Sequence, residues 1–218
     1  MPHAVSNQPW GTVDIVLHEG RIFFQQNWLY DWQVQPPMAF WTQKEKQNLH
    51  NTMDQQIWAT WSNRIRIPVR ATPTAMPAGR DFVIRCGGQA SINFDIHWVT
   101  RPPGHWRIMA MKTRPGDTHR SNVDFANWRI EFYSHDLPAD DACNEATPAV
   151  CTNNFQTAPH EFGHTINAND EYEAGNAYLN DTNSIMNIGR QVRPRHLQLI
   201  VNTLNTMLRG CVFSLPRV

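Results

Sequence analysis

His160-Glu161-Phe162-Gly163-His164-Thr165-Ile166-Asn167-Ala168-Asn169-Asp170 is the stretch on which the reading of this chain turns. Its first five residues are H-E-x-x-H. Residues four apart on an α-helix are rotated by about 40° and share a face. His160 and His164 can therefore reach one metal ion, and Glu161 is placed to take a proton from a water that the metal activates. A carboxylate oxygen is an ordinary zinc ligand, and Asp170 and Glu171 follow as candidates for a third donor. Between helix and carboxylate stands Asn167, where a left-handed backbone would end the helix and turn the chain back. Asn is the non-glycine residue that tolerates this best.

Beyond Asp170-Glu171-Tyr172 comes Ser184-Ile185-Met186-Asn187, which has the form of a Met-turn. The whole string resembles the metzincin-type zinc metallopeptidases, whose H-E-x-x-H-x-x-G-x-x-H helix is followed by such a turn. It is similar above all to bacterial members with Asp as third ligand, found in secreted and toxin-like proteins and at type VI secretion spikes. The match runs from about Thr157 to His196. Asn167 holds the pattern's Gly position, a mild departure, and two further positions depart more. Asp170 replaces the commoner His, and Asn187-Ile188 stands where many metzincins carry a Tyr after the Met.

The resemblance implies a single α+β domain over residues 1–218. Its parts are a twisted, mostly β sheet, an early helix, the metal helix, the Met-turn and a C-terminal helix. It implies a zinc ion on His160, His164 and Asp170, Met186 as an apolar floor, and peptide-bond hydrolysis with Glu161 as general base. Tyr172 could hydrogen-bond a ligand or the oxyanion, or be structural. His196, in Arg193-Pro194-Arg195-His196, could stabilise the oxyanion or orient a ligand. By analogy alone the protein would be a secreted or injected toxin, acting on protein or peptide substrates in the periplasm or a target cell. Its partners would then be a secretion carrier and an immunity protein. Two other function classes stay open: a zinc amidase or peptidase acting on cell-wall peptides, and a non-catalytic module whose structural metal is closed by a fourth protein ligand.

Composition narrows the field. With 218 residues the chain suits one sizeable core. Nineteen basic residues balance nineteen acidic ones, so no nucleic-acid or anionic-membrane partner is indicated. No apolar run is long enough to span a bilayer. The start, Met1-Pro2-His3-Ala4-Val5, shows no signal peptide. The protein would work in the cytosol, leave by a route without a cleaved signal, or have been trimmed. Four cysteines lean toward an oxidising destination, with Cys143–Cys151 and Cys86–Cys211 as the two candidate bridges against four free thiols; their spacing does not suit a Cys-based zinc site.

Periodicity gives the elements. Thr12 to Leu17 alternates as a strand, and Arg21 to Phe24 pairs with it. Thr42-x-x-Glu45 is a capping box opening a helix that places Leu49, Met53, Ile57 and Trp61 on one face, with Trp58 also expected inside. Strands are expected at Arg64 to Val69, Asp81 to Cys86, Ser91 to Val99, Trp106 to Lys112 and Trp128 to Tyr133, then a loop from Ser134 to Gln156. Thr157 is expected to cap the metal helix, and Pro194 to open a last helix carrying Leu197, Ile200, Val201, Leu204 and Leu208 on its inner face. Trp28 and Trp32, near Tyr30, pack in the core or line a carbohydrate or peptide groove. Asn180-Asp181-Thr182-Asn183 is oxygen-rich but lacks calcium-loop spacing.

Overall fold

The computed structural model describes residues 3–136, 140–143 and 151–217, with residues 140–143 and 151–154 described by their backbone alone. The fold is mixed α+β. Its strands are β1 (His3–Gln8), β2 (Gly11–Val16), β3 (Arg21–Val34), β4 (Arg66–Ala71), β5 (Gln89–Val99), β6 (Trp106–Lys112), β7 (Asn122–Asp124), β8 (Arg129–Tyr133), β9 (Asp140–Cys143), β10 (Cys151–Phe155) and β11 (Cys211–Phe213). The helices are α1 (Gln43–Trp61), α2 (Pro77–Arg85), α3 (Thr157–Thr165) and α4 (Gln198–Met207). No helix among the described residues is long and apolar enough to cross a membrane.

β3 is the spine of the sheet. One of its edges pairs in parallel with β5 over Arg21 to Leu29. The other is shared: β2 runs antiparallel against Arg21 to Gln25, then β6 runs parallel against Trp28 to Val34. The changeover is filled by His105. Its Nδ1 accepts the Asn27 amide at 2.7 Å, so Nε2 carries the proton and donates to Thr12 Oγ1 at 3.4 Å. Burial holds this imidazole below its ordinary pKa, consistent with the neutral form. Outward from β6 come β8, parallel, and β7, antiparallel and last on that side; β4 and β11 finish the other side.

Alternation on a half-covered sheet places Ile22, Phe24, Gln26 and Trp28 of β3 inside, together with Ile92, Phe94 and Ile96 of β5. Against this face lie α1, through Leu49, Met53, Ile57 and Trp61, and α3, through Phe162. The α1 capping box forms as its sequence predicts, with Thr42 Oγ1 accepting the Glu45 amide. Trp58 lies off the inner face and is 44% exposed, contrary to expectation. Trp28 is fully buried, and Tyr30 stacks on Trp32 at 4.7 Å where the inner face runs out under the start of α1.

Several expected elements differ. Asp81 to Cys86 is helical, because Pro77 starts α2 and Phe82 alone of its large residues is fully buried. Thr157 is the first residue of α3, and its cap, Gln156, makes no side-chain capping bond. Strands β1, β7 and β11, and the β9–β10 pair within the expected loop, extend the predicted set. Cys143 and Cys151 are opposite one another in the β9–β10 register, but their side chains fall outside the described residues. The expected Cys86–Cys211 bridge is absent, and both thiols are free. Cys211 Sγ packs against Gly79 in the first turn of α2, and Cys86 is the C-cap of that helix.

Candidate metal centre

α3 is fixed to the sheet before any ligand is considered. Gln26, fully buried on β3, donates to Thr165 Oγ1 at 2.9 Å and to the Trp10 carbonyl at 2.8 Å, and Trp28 Nε1 donates to its Oε1. Trp61 of α1 donates from Nε1 to the Pro159 carbonyl at 2.9 Å. Beneath the helix lies Met186, fully buried, its sulfur against Gly163. Any Cβ at position 163 would overlap that sulfur, so the glycine inside H-E-F-G-H is what lets the Met-turn approach.

The two imidazoles are oriented from behind. His160 Nδ1 donates to the Ile185 carbonyl at 2.7 Å, so the Met-turn also aims the first histidine. His164 Nδ1 donates to the Ala168 carbonyl at 2.8 Å. That carbonyl is in reach because Asn167 adopts the left-handed conformation expected of it, with φ 65°. Both Nε2 atoms consequently face Asp170 Oδ1, from His160 at 3.1 Å and from His164 at 3.3 Å. Asn176 Nδ2 holds the Asp170 backbone by its carbonyl at 2.7 Å.

The three donor atoms lie within 4.8 Å of one another, and the group His160, His164 and Asp170 could hold a metal ion. Proton counting supports the fit. With each Nδ1–H given to a carbonyl, each Nε2 presents a lone pair toward one carboxylate oxygen. A cation between them removes the repulsion, as protons on both imidazoles would. Burial disfavours a charged His164, but Asp170 and Glu161 outweigh it and raise its pKa. Burial likewise opposes a charged Asp170, yet bonds from His160 and His164 pull its carboxyl well below the usual range.

Glu171, the competing third ligand, points the other way. Its carboxylate takes both arms of Arg195, at 2.6 and 2.8 Å, and His196 Nε2 at 3.1 Å. Burial would raise its pKa, but these bonds and one from Ser184 bring it down to about 2. Arg195 also reaches Asp181, which Arg193 grips with two further bonds. The oxygen-rich turn around Asp181 is therefore committed to arginines. His196 belongs to this framework: it is buried and bonded to Glu171, and it lines neither cavity at the metal group. The expected place for it beside an oxyanion is not where the fold puts it.

Glu161 and Tyr172 do face the cleft. Glu161 is buried, and that burial raises its pKa against the opposing pull of His160 and His164. Tyr172 lies over His160, ring centroids 6.1 Å apart and 26° from parallel. Asn187 is fully buried and donates to the Leu179 carbonyl at 3.0 Å. On the far wall stands β7, whose Asn122 and Val123 line a cavity of about 570 Å³ with both histidines, Glu161 and Asp170. A second cavity of about 220 Å³ opens beside Glu161, walled by Phe155, Thr157 and Ile188, with Arg120 and buried Asp136 at one side. Asp136 accepts the Ser121 amide and hydroxyl, which anchors the approach to β7. Neither β7 nor Asp136 had a sequence signal: three strand residues are too few for a period, and a lone Asp has no motif.

No family model matches the chain, nor does any curated protein or solved structure.

Proposed function

We propose that this protein is a zinc-dependent endopeptidase. The observation that carries the reading is the convergence of His160, His164 and Asp170 beside Glu161, in a cleft walled by a strand that has one partner strand among the described residues. Two nitrogens and one oxygen suit zinc and leave it an open position. When bound, zinc supplies Lewis acidity toward a scissile carbonyl and toward water.

The chain's own residues do the rest. No strand among the described residues pairs with the outer edge of β7, and there an extended peptide binds as an added strand, crossing the metal group. The smaller cavity receives one side chain next to the scissile bond. Glu161, made more basic by burial, accepts a proton from the attacking water and passes it to the leaving nitrogen. Tyr172 packs on His160 and limits how that ring can turn.

The test is Glu161→Gln. It should keep one zinc per chain while cleavage of an unfolded protein substrate falls by about 10²–10⁴-fold, the usual contribution of a general base. Unchanged turnover would remove Glu161 from the chemistry. Purified cell wall run in the same assay tells an endopeptidase from a wall amidase. Failure of a hydroxamate to bind the zinc-loaded protein would favour a structural metal.

A further inference from the structure

The outer face of the sheet carries a cavity that the proposed chemistry does not use. Ser91 and Asn93 alternate with Ile92 and Phe94, so they point away from the core and from α3. In register, Arg21 of β3 and Arg66 of β4 both pair with Ser91 of β5, one from each side. The two arginines thus flank one serine, their Cα atoms about 10 Å apart at the ordinary strand spacing. Phe23 and Asn93 form the next row, and Trp58 stands at the rim, 44% exposed. Asn63, itself left-handed, donates to Asn93 Oδ1 at 2.6 Å and fixes the turn that follows α1. Together these residues enclose about 440 Å³, with no carboxylate in the lining.

The two arginines set the character of this cavity. Arg195, by contrast, is held by Glu171 and Asp181. Among the described residues Arg66 has no carboxylate within ion-pair distance, and Arg21 has only Glu19, 3.9 Å away and largely in solvent. Two guanidiniums converging on one cavity repel each other, and Arg is the side chain best shaped to grip an oxyanion. The serine between them adds a hydroxyl donor, while Trp58 and Phe23 add an apolar wall.

We propose that this cavity is a second binding site, for a small oxyanion, carboxylate or phosphate, carried on a flat apolar group. The anion sits over Ser91 between Arg21 and Arg66, and the apolar body lies against Trp58. The site is on the opposite face of the sheet from the metal group and independent of it.

Phenyl phosphate, benzoate and inorganic phosphate are the probes, titrated into the full chain and followed by the backbone amide resonances of Ser91 and Asn93. Saturable shifts are expected with one of the aryl probes, and the better of the two identifies phosphoryl or carboxyl as the recognised group. The double variant R21Q/R66Q should weaken that probe by about tenfold or more, because charge-assisted hydrogen bonds are worth roughly 1.5–3 kcal/mol. W58A should erase the advantage of phenyl phosphate over inorganic phosphate, or of benzoate over acetate. H164A, at the metal group, should change nothing at Ser91. Shifts that never saturate, or that survive R21Q/R66Q, would overturn the site, as would an equal loss in R114Q on another part of the surface.

Discussion

Gly163 shows how much of the candidate metal centre hangs on one missing methyl group. It is where the Met186 sulfur touches α3, and the Met-turn in turn supplies the Ile185 carbonyl that aims His160. Gly163→Ala therefore strains both contacts. Overpacking a filled core costs about 1–3 kcal/mol, and each kcal/mol lowers Tm by about 2–4 °C in a chain of this size. We expect that fall by calorimetry, together with weaker zinc binding. A variant with the parent's Tm and zinc affinity would show that the turn yields freely. At this scale the sequence is a good guide: two histidines four apart, an Asn at the reversal and a carboxylate three residues on are local features, and the fold brings them together. What it leaves open is Asp170 against Glu171, because the answer lies with Arg195 and His196, some twenty-five residues downstream.

Those residues form an element of their own, a polar strap running from Glu171 through Arg195 to Asp181 and Arg193. It ties the residue after Asp170 to the segment that follows the Met-turn, where the Glu171 amide also donates to the Met186 carbonyl at 2.8 Å. Removing one partner of a buried pair usually costs about 3–5 kcal/mol. Glu171→Gln belongs at the low end, about 3 kcal/mol, because Arg195 keeps Asp181 and is a quarter exposed. The sign with pH follows. Glu171 is held near 2 in the fold, against an ordinary value of 4.5. Its stabilisation is present above 4.5 and fades as pH falls through 2. Urea unfolding at pH 5 and pH 3 should show a loss in the parent that is smaller in Glu171→Gln; equal losses would mean the strap carries no such linkage. Elements of this kind leave little trace in a pattern. α2 is another: Asp-Phe-Val-Ile-Arg-Cys reads equally well as strand or helix, and only the packing of Gly79 and Phe82 decides. The long amphipathic α1, with its capping box, has no such ambiguity.

For the molecule as a whole, the joint in the sheet is the feature with the widest reach. Three imidazoles, His50, His105 and His196, are held below their ordinary pKa chiefly by burial, and His105 is the one at the joint. A histidine kept neutral in the fold stabilises above its unfolded value of 6.5, and that contribution is lost as pH falls below it. Protonating His105 also removes the acceptor for the Asn27 amide. We expect stability to drop between pH 7 and 5.5, and less steeply in His105→Gln, whose amide oxygen can still accept. Parallel curves for the two proteins would argue that the joint does not titrate. Such a joint has no signature in periodicity, since strand patterns report faces and not neighbours.

The succession of partners along β3 also orders the assembly of the chain. β1, β2 and the first part of β3 are consecutive and need only short turns to meet, whereas β5 and β6 reach β3 across long crossovers. Loop closure favours the short reach, so the amino-terminal meander is the natural nucleus and the parallel half of the sheet is the slow step. α3 docks on β3 through Gln26, which pairs with Ile96 of β5, and on α1 through Trp61, so its place is complete only when that slow step is over.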